Sequence, residues 1–175
     1  LGLEKYILMG SSMGGWIAAE MAAMSSNNLE ALILIDAAGI KPENGEIAEI
    51  FMVSNETRMK QRFHDPSQVA NYENYTRDLN DQEKIIDHSN KEMASRLCWK
   101  PYLHNLSLPY YLNNVSVPTL IVWGEQDAII PVECADLFRK AIPNSQLEII
   151  TNCGHSPAIE KPNEFVSIVT KFLAS

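Results

Sequence analysis

The chain has 175 residues, 46% of them hydrophobic and 21% charged, a balance that suits one globular domain with a core of ordinary size. Its formal net charge of -8 sets it against nucleic acid and anionic membrane surfaces, which would repel it. No apolar run is long enough to span a bilayer.

The opening segment, Tyr6-Ile7-Leu8-Met9, is a short apolar run ending at Gly10 and reads as a buried strand. A glycine-rich turn follows it. Residues 16–24, rich in alanine and methionine, then read as a buried helix. Ala31-Leu32-Ile33-Leu34-Ile35 is a second buried strand, ending at Asp36. From about Pro42 to Pro118 the chain turns polar and helical in character, with no convincing strand. Within this stretch residues 47–63, 68–79 and 82–99 are expected helices, the last capped by Asp81. Thr119-Leu120-Ile121-Val122-Trp123 and Leu147-Glu148-Ile149-Ile150 are the third and fourth strands. Each of these is followed by a helix, over residues 133–141 and 163–173, the second opened by Pro162. Alternation of strand and helix at both ends predicts an α/β fold with a parallel sheet covered by helices. The chain thus divides into core at 1–41, a helical lid insertion at 42–117, and core again at 118–175.

Gly10-Ser11-Ser12-Met13-Gly14 places a serine between glycines two residues away on either side, at a strand-to-helix turn. Such a turn holds the serine in a strained backbone conformation, with its hydroxyl clear of the sheet, and the glycines remove side chains that would collide there. Ser12 is therefore the candidate nucleophile. Ser11 lacks glycines at both offsets. The backbone N–H of Met13 heads the helix, where it can meet a developing oxyanion.

Asp127 lies just past the third strand, in Gly124-Glu125-Gln126-Asp127, at the carboxyl edge of the sheet where sites of this architecture assemble. It is the candidate acid. Asp36, which also ends a strand, is its rival, and Glu125 is the third option. His155, in Asn152-Cys153-Gly154-His155-Ser156-Pro157, reaches the same edge and completes the chain order serine, acid, histidine. His64, His88 and His104 lie in the insertion and read as structural or substrate-facing. Cys153 reads as a small apolar strand-end residue rather than a thiol nucleophile. Cys98, Cys134 and Cys153 form an odd, sparse set, read as reduced thiols of a cytoplasmic protein, and no Cys or His pair has metal-ligand spacing. The absence of a basic-then-apolar leader points the same way.

The Gly10-to-Gly15 turn, the Gly124-to-Asp127 segment and Gly154-His155, in that order with helices between, resemble the α/β-hydrolase superfamily. The Ser-Met-Gly-Gly and Asn-Cys-Gly-His forms look like the branch of meta-cleavage-product hydrolases and lid-bearing carboxylesterases. The resemblance implies a serine hydrolase in which Ser12 attacks a carbonyl, His155 takes its proton and Asp127 orients His155. It implies no metal and no organic cofactor. A small-molecule ester is the expected substrate. The alternative enzyme reading is carbon–carbon hydrolysis, in which Arg96 and Trp99 would face a substrate carboxylate and ring; their plainer reading is a surface arginine and a lid-core tryptophan. In this superfamily several strands precede the nucleophile strand, and only residues 1–5 do so here. The resemblance therefore leaves the second oxyanion donor outside this chain and the first strand as a bare edge. That edge is expected to belong to a larger protein or to be covered by a second copy. A reading from another class is an inactive fragment or a ligand-binding module on a hydrolase scaffold.

Overall fold

The computed structural model describes residues 3–175. Four parallel strands, β1 (Tyr6–Ser11), β2 (Leu29–Ile35), β3 (Thr119–Gly124) and β4 (Ser145–Ile150), form one sheet in the order β1-β2-β3-β4. The α/β fold with a parallel sheet flanked by helices is thus as the sequence predicts. The two inner strands are the near-continuous apolar runs, and they are buried almost throughout. The outer two are less buried than their apolar runs alone suggest, β1 as the bare edge that the resemblance implies. β1 leaves Ile7 and Met9 nearly half exposed, and β4 alternates partly buried with exposed residues. An edge strand has a neighbour on one side only, so the same apolar sequence buries less.

Helix α1 (Met13–Met24) packs on the sheet through Gly15, Ala18, Ala19 and Ala22, the i, i+3, i+4, i+7 positions of one face. Small side chains there bring helix and sheet close. The opposite face is not buried as expected: Ile17, Met21 and Met24 are exposed. On the other side of the sheet α8 (Pro162–Leu173) buries Phe165 and Phe172 against Ile33, Ile35, Leu120 and Val122. Helix α6 (Glu133–Ala141) joins the α1 side with Ala135 and Phe138.

The insertion is helical but less regular than the sequence suggests. Of the span 47–63 only α2 (Asn55–Arg62) is helix, because Ser54 caps it by accepting the Thr57 N–H. The span 68–79 takes in only the last residue of a 3₁₀ turn, Pro66–Gln68, and the four-residue α3 (Glu73–Thr76). Helix α4 (Asp81–Cys98) is as expected, but its cap is Asn80 rather than Asp81: Asn80 Oδ1 accepts the Glu83 N–H and the Glu83 side chain accepts the Asn80 N–H. Two short helices escaped the sequence reading, α5 (Leu108–Leu112) and α7 (Pro157–Glu160). Both have Pro in the first turn, a start signal too brief to stand out beside periodicity.

The register decides where function can sit. Ser11 pairs with Ile35, Ile35 with Val122, and Gly124 with Ile150. The segments that follow these residues carry Ser12, Asp36, Asp127 and His155 out of the same edge of the sheet.

Candidate active site

Ser12 stands at the turn between β1 and α1 with φ 56° and ψ -123°, a conformation that is costly for a side-chain-bearing residue. The sheet holds it there. Its N–H donates to the Ile35 carbonyl (2.9 Å), and its carbonyl accepts from Trp16 (3.1 Å) and Ala38 (3.0 Å). A Cβ at Gly10 would run into the Gly14 carbonyl, and one at Gly15 would come within 2.6 Å of the Ala37 Cβ. A Cβ at Gly14 would meet nothing. The steric demand of the turn therefore falls on positions 10 and 15, not on the second glycine of the motif.

His155 Nε2 lies 2.9 Å from the Ser12 hydroxyl, and its Nδ1 lies 2.7 Å from Asp127 Oδ2. The Asp127 side chain is fully buried, and that of His155 nearly so. Asp127 Oδ1 accepts the N–H groups of Ile129 (2.8 Å) and Ile130 (3.0 Å). Three N–H donors thus fix the orientation of this carboxylate. The structure brings together Ser12, Asp127 and His155, with the Met13 N–H at the head of α1, where the first backbone donors have no intrahelical partner.

Close backbone contacts position the histidine. Gln126 donates its N–H to the Cys153 carbonyl and accepts the Cys153 N–H on Oε1. His155 donates its own N–H to the Arg62 carbonyl at the end of α2 (2.8 Å), and Arg62 Nε donates to Ser156 Oγ (2.8 Å). Glu160, almost wholly buried, accepts from Gly154 (3.0 Å) and His64 (2.9 Å). Arg62, Ser156 and Glu160 are site-supporting residues that the sequence reading missed. The Ser156-Pro157 helix start was the available signal for one of them; for Arg62 there was none, because it comes from the insertion.

The other candidates fall elsewhere. Glu125 is exposed and bonded to Gln126. Asp36 is buried beside the site but bonds the Gly124 N–H, not the histidine. Burial pushes the Cys153 thiol far above its usual range, which makes a thiolate nucleophile there untenable. Burial likewise raises Cys134, to about 12. His104 Nδ1 bonds the Tyr102 carbonyl (2.8 Å). Arg96 and Trp99 do not face Ser12. Arg96 is exposed and paired with Glu92 at 2.6 Å, and Trp99, half exposed, packs against Phe51 and Tyr102. Both line a groove with His88 and Lys91 that does not include Ser12. Two other arginines take that place: Arg58 and Arg62, one turn apart on α2, line the cavity of about 400 Å³ that holds Ser12 and His155, with Ile50, Met59 and Ile129 as its apolar wall.

A sequence model of the family described as serine aminopeptidase, S33, matches residues 2–162. Monoacylglycerol lipase ABHD6 of Mus musculus is 28% identical over 190 residues, covering 100% of this chain and 56% of that protein. Monoacylglycerol lipase abhd6-A of Xenopus laevis is 28% identical over 200 residues, covering 100% and 57%. Among solved structures, a serine hydrolase involved in carbazole degradation, CarC, superposes with TM-score 0.75 at 27% identity over 97% of this chain and 64% of its own. A membrane phospholipase A described as a bacterial virulence factor gives TM-score 0.78 at 24% identity over 99% and 58%. The chain therefore spans little more than half the length of the curated relatives it matches. Among the described residues no helix is long and apolar enough to cross a membrane.

Proposed function

Because the chain belongs to the serine aminopeptidase S33 family of α/β hydrolases, we propose that its protein cleaves a carboxylic ester through an acyl-enzyme on Ser12. The observation that carries this reading is the unbroken hydrogen-bonded series Ser12 Oγ, His155, Asp127, with steps of 2.9 and 2.7 Å. Ser12 Oγ attacks the carbonyl carbon while His155 Nε2 takes its proton. The Met13 N–H bonds the oxyanion. Collapse expels the alcohol, which leaves with the proton from His155. Water then repeats the sequence and frees the acid. Asp127 keeps the proton of His155 on Nδ1, leaving Nε2 as the acceptor. The apolar wall of Ile50, Met59 and Ile129 suits an aliphatic acyl group, in keeping with the lipase names of the relatives.

The test is hydrolysis of 4-nitrophenyl butyrate, with Ser12→Ala as control. The variant should lose on the order of a thousand-fold or more in turnover, and unchanged turnover would remove Ser12 from the mechanism. A fluorophosphonate that fails to label Ser12 in well-folded protein would favour a ligand-binding module instead.

One observation favours a second reading, carbon–carbon hydrolysis of a ring-fission dienoate. Such substrates are carboxylates, and Arg58 and Arg62 face the Ser12 cavity. If a dienoate is the substrate, Arg58→Gln, which leaves the Arg62–Ser156 contact in place, should raise KM for it about ten-fold or more while leaving KM for a neutral ester nearly unchanged. Equal effects on both would dismiss this reading.

A further inference from the structure

The proposed ester chemistry leaves one buried carboxyl beside it without a task. Asp36 ends β2 at φ 43° and is completely buried. Its Oδ1 accepts the Gly124 N–H at 2.8 Å, and its Oδ2 has no donor among the described residues. Its neighbours are the acid and the base themselves: carboxyl oxygens of Asp36 and Asp127 and a ring nitrogen of His155 lie within 4.8 Å of one another. Two adjacent carboxylates out of reach of water do not both ionise cheaply. Their surroundings decide which one gives way. Asp127 accepts three N–H groups, from Ile129, Ile130 and His155. Asp36 accepts one. Burial first, then the Asp127 charge, hold the Asp36 carboxyl well above the usual carboxylate range, and Glu160 on α7 adds to this. The Cys153 thiol, itself held protonated, and His155 are the remaining titratable groups nearby.

We propose that Asp36 carries a proton on Oδ2 at neutral pH and donates it to the Asp127 carboxylate, acting as a neutral positioning residue behind the group that orients His155. The proton is taken from solvent as the chain folds, and no bond other than this O–H is made. The otherwise unpartnered Oδ2 gains an acceptor, and Asp127 gains a fourth donor. The kinetic consequence rests on the proposed roles of Ser12 and His155; the location of the proton does not.

Infrared spectroscopy of the protein at pH 7 tests the location directly. A protonated carboxyl C=O band is expected in the wild type and in Ser12→Ala, and it should vanish in Asp36→Asn. A wild type without that band overturns the proposal, whether or not any variant folds, and so does a band that survives in folded Asp36→Asn. Thermal melts provide a second readout. A carboxyl whose folded pKa is raised contributes stability that is fully present below its unfolded value of about 3.9 and is lost as pH rises toward the folded value. Asn has no such loss, so the Tm of Asp36→Asn relative to wild type should climb from pH 4 to pH 8. A gap that shrinks with pH would show an ionised, stabilising Asp36 and refute the idea. The third readout is the rate of fluorophosphonate labelling at Ser12. Asp36→Ala should slow it about ten- to a hundred-fold, and Asp36→Asn, whose amide can still donate to Asp127, should recover most of that loss. Asn as slow as Ala would count against a neutral donor. A wild type that does not label at all sinks the hydrolase reading, and the infrared and melting results then decide the proton alone.

Discussion

Asp127→Asn is expected to slow acylation of Ser12 by on the order of ten-thousand-fold, the scale known for the same change in a serine–histidine–aspartate site, while leaving the fold intact. The reason lies in the other end of the side chain. Asp127 Oδ1 accepts the N–H groups of Ile129 and Ile130. An asparagine must keep its carbonyl oxygen there, because its NH₂ group would face two donors. The amide nitrogen is then forced toward His155 Nδ1, where the carboxylate oxygen now sits at 2.7 Å. The imidazole must answer with a bare Nδ1, and its proton moves to Nε2. That proton points at Ser12 Oγ, 2.9 Å away, where a base is needed. Fluorophosphonate labelling and nitrophenyl-ester turnover should fall together, with an unchanged circular dichroism spectrum. Turnover within ten-fold of wild type would mean that Asp127 does not set the tautomer.

The second large effect is on stability. Gly124→Ala should cost about 3 kcal/mol or more by overpacking, or a Tm drop of roughly 6–12 °C at 2–4 °C per kcal/mol for a chain of this size. Gly124 closes β3, and a Cβ there would run into the Gly154 carbonyl and come within 2.6 Å of the Cys153 carbonyl. Those atoms cannot retreat, because Gly154 itself sits on the backbone of Arg62 and His64, and a Cβ on it would lie 2.7 Å from each. Three backbone segments are stacked with no side chain between them. Relief requires the loop carrying His155 to move, so Ser12 labelling should fall in the folded fraction as well. Gly14→Ala, at a position with open space, is the control: it should melt at or above the wild type. An unshifted melting curve for Gly124→Ala would show that the loop gives way freely.

Much of the site was legible in the sequence. Ser12, Asp127 and His155 follow from residue type, chain order and position after apolar strands, because a parallel sheet sends every strand end to one edge. The alternation of β1, α1, β2 and of β3, α6, β4 announced that sheet, since apolar runs of four or five residues with helices between them have few other ways to be buried. What periodicity does not encode is how many neighbours an element has, so β4 reads as a buried strand when it is an edge, and only the resemblance, not the apolar run, announces β1 as one. Sequence favours Asp127 over Asp36 as the acid but leaves Asp36 a rival. Both end central strands, and only the pairing of β2 with β3 places one against the Gly124 N–H and the other against His155.

The insertion was the least readable part, and for a physical reason. Its short helices are set by caps such as Ser54 and Asn80 and by contacts far along the chain rather than by an amphipathic repeat. Arg62 reaches the histidine loop across 94 residues, to Ser156, and nothing local to either residue foretells it. The sequence by itself determined the strand-turn-helix that presents Ser12 and the order of the groups that follow, because local backbone sterics and burial fix these. Tertiary structure alone decided which arginines line the cavity, which carboxylate meets His155, and which of two adjacent acids gives up its charge, because each depends on the distance and desolvation of groups that the chain brings together only when folded.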